Sequence, residues 1–499
     1  MALDSKNPLY NEFLEDWNVM EDTYRGERVI KSKGAQYLPP TSGMIADGFP
    51  TVDTMGWKAY GAYKTRAIFH GFVDEAVKTL VGIMHHKPAT FELPTIMEPL
   101  IEEATTKGES LQMLLRKINV AQLVQGRFGM LLDLPVTPTL EQVLPYIATY
   151  KAKTIINWDD GASDEITRQN LNLVVLDETE DERDAGNFEW TKQEKYRVLI
   201  LGAADANEGS QAATYKAGVF RNKDAKTFNE AEMVEPAFRG NKLNEIPFVF
   251  VNAADIVPDP DDPPLIGLAK LALAIYRGEA DYRQSLFMQG QDTLVVVGDH
   301  KDDDGNDKTY RTGANASISL PKEGSASFIG VDSAGLAEQR EAIQADKKDA
   351  ATLAGQLMDN TARGIESGDA LQMRVSARTA TLNEVALTSA FALQSILRIA
   401  ARWLGANPEE VIVTPNLDFA DERLEGKTLV EYMSAKMLGA PISLASIHGL
   451  MQDRGLTEFE LEEELALIAE EEPLIEPPSD ESSPGEDEPT EDEDEGGEQ

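Results

Sequence analysis

The chain of 499 residues contains no cysteine and only five histidines. The first absence removes disulfides, thiolate metal sites and cysteine nucleophiles together, and it fits assembly in a reducing compartment. The histidines (His70, His85, His86, His300 and His448) are scattered, and neither an HExxH nor a His–Cys spacing occurs. No metal or cofactor is therefore expected. A GxSxG nucleophile elbow is missing as well. The N-terminus has no basic stretch leading into an apolar run, and no window approaches eighteen consecutive apolar residues. Neither a signal peptide nor a membrane span is expected. Lys and Arg stop at Arg454, whereas twenty acids lie between Glu458 and Glu498.

What the chain does have is acid. Its net charge is −41, and roughly half of that sits in the last tenth of the sequence. Such a protein does not wrap DNA by neutralising phosphates, which takes clustered Lys and Arg. It can meet DNA at local basic spots, or repel it as a wall. With 42% hydrophobic residues the chain can bury cores, and its length suggests two to four domains.

Residues 1–262 read as a mixed α/β body. Helical spacing marks 62–84 and 110–125. Strand-like runs lie at 129–134, 172–177, 196–201, 215–220 and 247–251, separated by polar loops. The prolines Pro258, Pro260, Pro263 and Pro264 then break structure and set the start of a helix to about Gln289, a rod of roughly 39 Å. A small strand-rich insertion follows over 291–333, with a hairpin signal at Asp304-Gly305. A second helix occupies 334–359, and 360–378 reads as a loop rich in Gly and Arg. Thr381 and Glu384 have capping-box spacing and predict the start of a helix that Gly405 and Pro408 stop near Leu404. Its apolar face carries Leu382, Val385, Leu393, Ile396, Leu397 and Trp403. Two shorter helical patterns, 427–438 and 443–469, precede the acidic, Pro- and Ser-rich residues 471–499, whose composition predicts disorder.

Chemistry is thinly written. Glu425-Gly426-Lys427-Thr428 resembles the end of a phosphate-binding loop, but the required upstream glycine is Asp421. Asp302-Asp303-Asp304-Gly305 resembles a calcium loop, yet His300 and Arg311 fall on ligand positions. A helix start and a solvated turn are the ordinary readings, and no enzyme is expected. Basic residues on the bracketing helices are more suggestive. Lys270, Arg277 and Gln284 recur at seven-residue spacing and share a face, with Arg283 close by, and Lys347 and Lys348 lie on the returning helix. A solvated helix face explains them equally well.

The order of these parts, together with GRFGMLLDLP (126–135), PYIATYKAKTIINW (145–158), KYRVLIL (195–201), LAKLALAIYRGEADYRQSLF (268–287), SARTATLNEVALTSAFALQSILRIAARWLG (376–405) and NLDFA (416–420), resembles the portal proteins of tailed bacteriophages. The resemblance implies an α+β multidomain subunit. A wing would occupy 1–262, stem helices 263–290 and 334–359, a β-rich clip 291–333 and a tunnel loop 360–378. A wing helix and return would occupy 379–425, and crown helices 426–470 before the disordered tail at 471–499. It implies a homo-oligomeric ring, typically a dodecamer, in the virion and assembled in the host cytoplasm. Double-stranded DNA would pass through it non-specifically. Terminase, the major capsid protein and tail adaptor or connector proteins would be its partners, with no membrane involved. Twelve chains at −41 would carry about −490, a wall DNA slides past. Lys270, Arg277, Arg283, Lys347, Lys348, Arg363 and Arg374 become candidates for sparse DNA contacts. Asp302, Asp303, Asp304, Lys308 and Arg311 become candidates for docking a motor or connector. Two alternatives remain: another virion structural or connector protein, or a terminase-like ATPase or nuclease, which should show a complete phosphate loop.

Overall fold

A computed structural model describes residues 2–134, 144–160, 171–183, 186, 188–202, 214–221, 226–238, 241–289, 293–298, 301, 310, 318, 320, 322–329, 334–355, 368–417, 419, 426–453, 456–457 and 459–470. It divides into two units, Met1–Phe419 and Ala420–Gln499. The fold mixes helix and sheet in the α+β sense.

The first unit opens with helices that the sequence reading did not anticipate: α1 (Pro8–Arg25), α2 (Glu27–Lys33), α3 (Ser42–Ala46) and α4 (Met55–Arg66). Polar caps set their starts. Asn7, Thr41 and Thr54 each accept a backbone N–H of the first turn of α1, α3 and α4. The helix expected over 62–84 is two pieces, because α4 ends at Arg66 and α5 begins at Phe72 and runs to Met84. Between them Ala67 is extended, and Ala67 and Phe69 are buried. There follow β1 (Thr90–Glu92), α6 (Pro99–Glu102) and α7 (Leu111–Gln125), the last capped by Ser110 and ended by Gly126.

Strands β2 (Arg127–Asp133), β3 (Tyr146–Lys151), β4 (Ile155–Asp159), β5 (Leu173–Asp177), β6 (Glu180–Arg183), β7 (Trp190–Gln193), β8 (Lys195–Gly202), β9 (Thr214–Arg221), β10 (Ala237–Phe238), β11 (Asn241–Lys242) and β12 (Phe248–Asn252) complete the body. They form a three-stranded sheet of order β12-β2-β3, a four-stranded sheet of order β4-β5-β8-β9, and two hairpins, with antiparallel pairing throughout. Every residue of β12 and the first six of β2 are buried, which explains their near-continuous apolar runs.

Helix α8 (Ile266–Gln289) leads to a hairpin of β13 (Thr293–Val297) and β14 (Ser325–Ile329), and α9 (Ala334–Gly355) returns. Helix α10 runs from Gly368 to Leu404, so the expected loop over 360–378 is corrected: 368–378 are helical. Thr381 and Glu384, read as a cap, are exposed positions inside the helix, where they point to water. Leu382, Val385, Leu393, Ile396, Leu397 and Trp403 are all buried, as their spacing requires. At about 1.5–3 kcal/mol for each large apolar side chain, this burial far outweighs a misplaced cap. Residues Ala380–Leu404 are long and apolar enough to cross a membrane by length and composition, although polar residues interrupt every apolar run within them. Their apolar face packs on the body instead. Strand β15 (Ile412–Thr414) then pairs with β1.

Three clusters make the core of this unit. The largest joins α7, both sheets and the C-terminal half of α10; a second joins α5, α8, α9 and the start of the buried stretch of α10; a third seats α2–α4 on α8. The second unit holds α11 (Gly426–Met437), α12 (Leu444–Asp453) and α13 (Leu461–Glu470). The single pattern expected over 443–469 is thus two helices, and Thr457, whose side chain accepts the Phe459 N–H, stands before the second. The expected disordered residues 471–499 lie outside the described residues.

Candidate functional site: the α8–hairpin–α9 element and its roots

The antiparallel pair α8 and α9 brackets the hairpin of β13 and β14. From Thr293 opposite Ile329, contacts pass to Glu279 with Lys347 and Gly278 with Ile343, so the two helices run in opposite directions. A Cβ on Gly278 would lie 3.3 Å from Ile343 Cγ1, so the missing side chain lets the helices approach closely. Beside that contact, Glu279 is buried and gathers charge. Lys347 Nζ donates to it at 2.5 Å, Arg283 Nε at 2.7 Å, and His70 Nε2 lies 3.7 Å away. Burial opposes ionisation of Glu279, yet the two charge-assisted bonds win and hold its carboxyl below the ordinary range. Among the sequence candidates, then, Lys347 pins α9 to α8 through Glu279, and Arg283 shares that carboxylate from the next turn of α8.

Lys270, Arg277 and Gln284 do share one face of α8, and that face meets the N-terminal helices. Lys270 Nζ pairs with Asp16 Oδ1 of α1 at 3.1 Å. Arg277 Nε donates to the Tyr37 carbonyl at 2.9 Å, and Gln284 accepts from Arg66, whose guanidinium covers the Phe287 ring at 4.0 Å. Tyr63 of α4 adds a 2.5 Å bond to Asp281. Lys348 is exposed on α9. Arg374 lies on α10. Arg363, Asp302, Asp303, Asp304, Lys308 and Arg311 lie outside the described residues, as does the hairpin signal at Asp304-Gly305.

Three buried polar groups, none legible as a motif, lie within the body, and the first of them faces the segment that leads to α8. Arg127, the first residue of β2, is fully buried and lies between Trp158 at 4.1 Å and Phe250 at 4.6 Å from its guanidinium carbon. None of its three side-chain nitrogens has a hydrogen-bond partner. Burial pushes it down to about 9, against the attraction of Asp259 and Asp261. Those acids lie in the proline-rich segment leading to α8. Asn252, opposite Arg127 across the sheet, holds that segment through the carbonyls of Val257 (2.9 Å) and Asp259 (2.6 Å). Gly126 is required here: its φ is +65°, and a Cβ would stand 2.7 Å from the Asp261 carbonyl oxygen.

A second group joins the two sheets. Glu178 accepts from Arg197 Nε at 2.6 Å, Tyr150 at 2.6 Å and Lys195 at 2.8 Å, while Arg197 also reaches Asp133 at 2.8 Å. Burial alone would raise Glu178; the cations and the tyrosine hold its carboxyl down and, with Asp133, keep Arg197 protonated. The third group is a buried relay. His85 Nε2 lies 2.8 Å from Asn119 Oδ1; Asn119 donates to Ser389 (2.8 Å) and Gln122 (3.0 Å), and Gln122 donates to the Asn252 carbonyl (2.7 Å). Burial lowers the His85 pKa, favouring the neutral ring.

Among the described residues no group of His, Asp and Glu is placed to hold a metal ion. Residues 264–404, from the start of α8 to the end of α10, match a family model described as DUF4055, a domain of unknown function. No curated protein matches the chain. Among solved structures, a chain in the neck of a native GTA particle, computed with C12 symmetry, is similar at TM-score 0.36 and 12% identity. The similarity covers 76% of this chain and 89% of that one. A chain in the neck of an empty GTA particle, computed with C6 symmetry, is similar at TM-score 0.38 and 13% identity over 78% and 90% of the two.

Proposed function

We propose that the chain is a portal subunit of a tailed phage, non-enzymatic, forming a ring through which DNA enters and leaves a capsid. The observation that carries this reading is the antiparallel pair α8 and α9 around a β-hairpin, followed by the long α10. That order of parts is the one in which the sequence resembles portal proteins. In this reading α8 and α9 are the stem, the hairpin region is the clip that docks the terminase motor and later the tail connector, and the body is the wing that meets the capsid. Catalysis has no place in it.

The charge fits the reading. Lys270, Arg283 and Lys347 of the helix pair are paired within the chain at Asp16 and Glu279, which suits an acidic subunit that a DNA duplex passes without sticking. Lys348, with Arg363 and Arg374, remains a candidate for sparse phosphate contact. Negative-stain microscopy of the purified protein tests the proposal: rings with a central hole are expected, and a monomer or a closed shell refutes it. ATP turnover by the purified protein would instead favour a motor.

A further inference from the structure

The second unit leaves its apolar side chains uncovered. Among its described residues eleven large hydrophobics are exposed and one, Ile447, is buried. Three short helices with so little interior do not offset their own ordering entropy. Two stripes stand out. On α11, Val430, Met433 and Met437 recur at i, i+3 and i+7 and are 63%, 41% and 87% exposed. On α13, Leu461, Leu465 and Ile468 recur at i, i+4 and i+7, with Leu465 and Ile468 at 44% and 58%.

We infer that α11 of one copy packs against α13 of the next, joining chains head to tail through these stripes. Charge decides between the possible pairings. Helix α13 carries Glu462, Glu463 and Glu464 in its first turn, so a parallel α13–α13 contact would set three carboxylates facing three more, and an antiparallel one offers them no cation, since α13 has no Lys or Arg. Helix α11 carries Lys436 in its last turn. An antiparallel α11–α13 contact sets that lysine beside those glutamates and opposes the helix dipoles favourably. It also aligns Met433 with Leu465 at the middle of both stripes. Such a contact is heterologous: each copy offers a different surface on either side, and repetition closes a ring or extends a filament. Only the closure into a ring rests on the portal reading.

The chain has no cysteine, so any introduced thiol is unique. Met433→Cys and Leu465→Cys full-length chains are prepared separately, mixed under mild oxidation and run on a non-reducing gel. The mixture should give a dimer, each variant alone only monomer, and the double variant a ladder beyond dimer. Lys436→Glu should reduce cross-linking at least tenfold, and Glu464→Lys in the partner, on the flank of the α13 stripe, should restore it. Dimers from Met433→Cys alone, or a monomer from the double variant, overturn the inference. Rings in the microscope without cross-links sink this interface and spare the portal reading; a ladder without rings does the reverse.

Discussion

Arg127 offers the most discriminating perturbation, because its two halves pull in opposite directions. Moving a guanidinium out of water costs several kcal/mol even after relaxation. Against that stand two aromatic faces, Trp158 and Phe250, at about 2 kcal/mol each in a dry site, and the more distant attraction of Asp259 and Asp261. The sum lies near zero. Arg127→Met, which keeps an unbranched apolar chain between the rings, should therefore leave stability unchanged or raise it by about 1–2 kcal/mol. Asp259→Asn with Asp261→Asn should lower it by about 2 kcal/mol in the presence of Arg127, by leaving a buried charge uncompensated. In the Arg127→Met background the same pair should cost less than about 0.5 kcal/mol, since an amide oxygen at position 261 can still accept the Ala254 N–H. Urea unfolding at fixed protein concentration, with unchanged m-values, gives the four corners of the cycle. The sign of the pH dependence is also fixed. A base whose folded pKa is lowered to about 9 is penalised in the fold while protonated, so its cost is present below pH 9 and relieved above it. The gap between the Arg127→Met variant and wild type should narrow as pH rises past 9. Equal losses from the aspartate pair in both backgrounds would refute the reasoning.

Other perturbations follow from the same geometry. Glu279→Gln removes the charge shared by Arg283 and Lys347; because those partners are about one-third exposed, the loss should be about 1–2 kcal/mol in thermal or urea unfolding. The folded pKa of Glu279 is depressed, so its contribution is full above the unfolded carboxylate range and fades as pH falls through the folded value, where the variant should converge on wild type. Glu178→Gln should cost about 3 kcal/mol by stranding Arg197 and Lys195 between the sheets, and a Glu178→Leu/Arg197→Met double variant should be the more stable of the two. His85 is a base with a lowered pKa, so the unfolded chain takes up the proton first and stability drops as pH falls below about 6.5. His85→Gln should flatten that slope between pH 7 and 5, and an unchanged slope would assign it elsewhere.

How far the sequence could be read depended on where each element finds its partners. The strands at 129–134, 172–177, 196–201, 215–220 and 247–251 were legible because burial on the sheets leaves unbroken apolar runs. Strands β3 and β4 were not, since YIATYK alternates weakly and β4 is bulged between Ile155 and Asn157. The N-terminal helices escaped notice for a related reason. Their interiors are filled by Tyr37, Tyr60, Tyr63 and Trp17, and the tyrosine hydroxyls find Asp22, a backbone carbonyl or Asp281, so no plain aliphatic stripe marks them. Helix α10 starts thirteen residues before Thr381, because capping residues in mid-helix cost little when exposed.

The candidate site was harder to read, because a charge in sequence has no sign of its partner. Lys270 and Arg277 look alike as a basic stripe whether they face a phosphate or, as here, Asp16 and the Tyr37 carbonyl. One signal was available. Leu268, Ala272, Ile275, Tyr276 and Ala280 fix the buried face of α8, and Glu279 falls within it. An acid on an apolar face must be paired, and the nearest cations in register are Arg283 on the next turn and whatever the returning helix supplies. The pin between α8 and α9 is thus implied by the sequence itself. It also reverses the weight given to the basic residues. In a chain this acidic, a lysine or arginine on a half-buried face is claimed first by the chain's own carboxylates, and only those that burial leaves unclaimed are available to a passing polyanion.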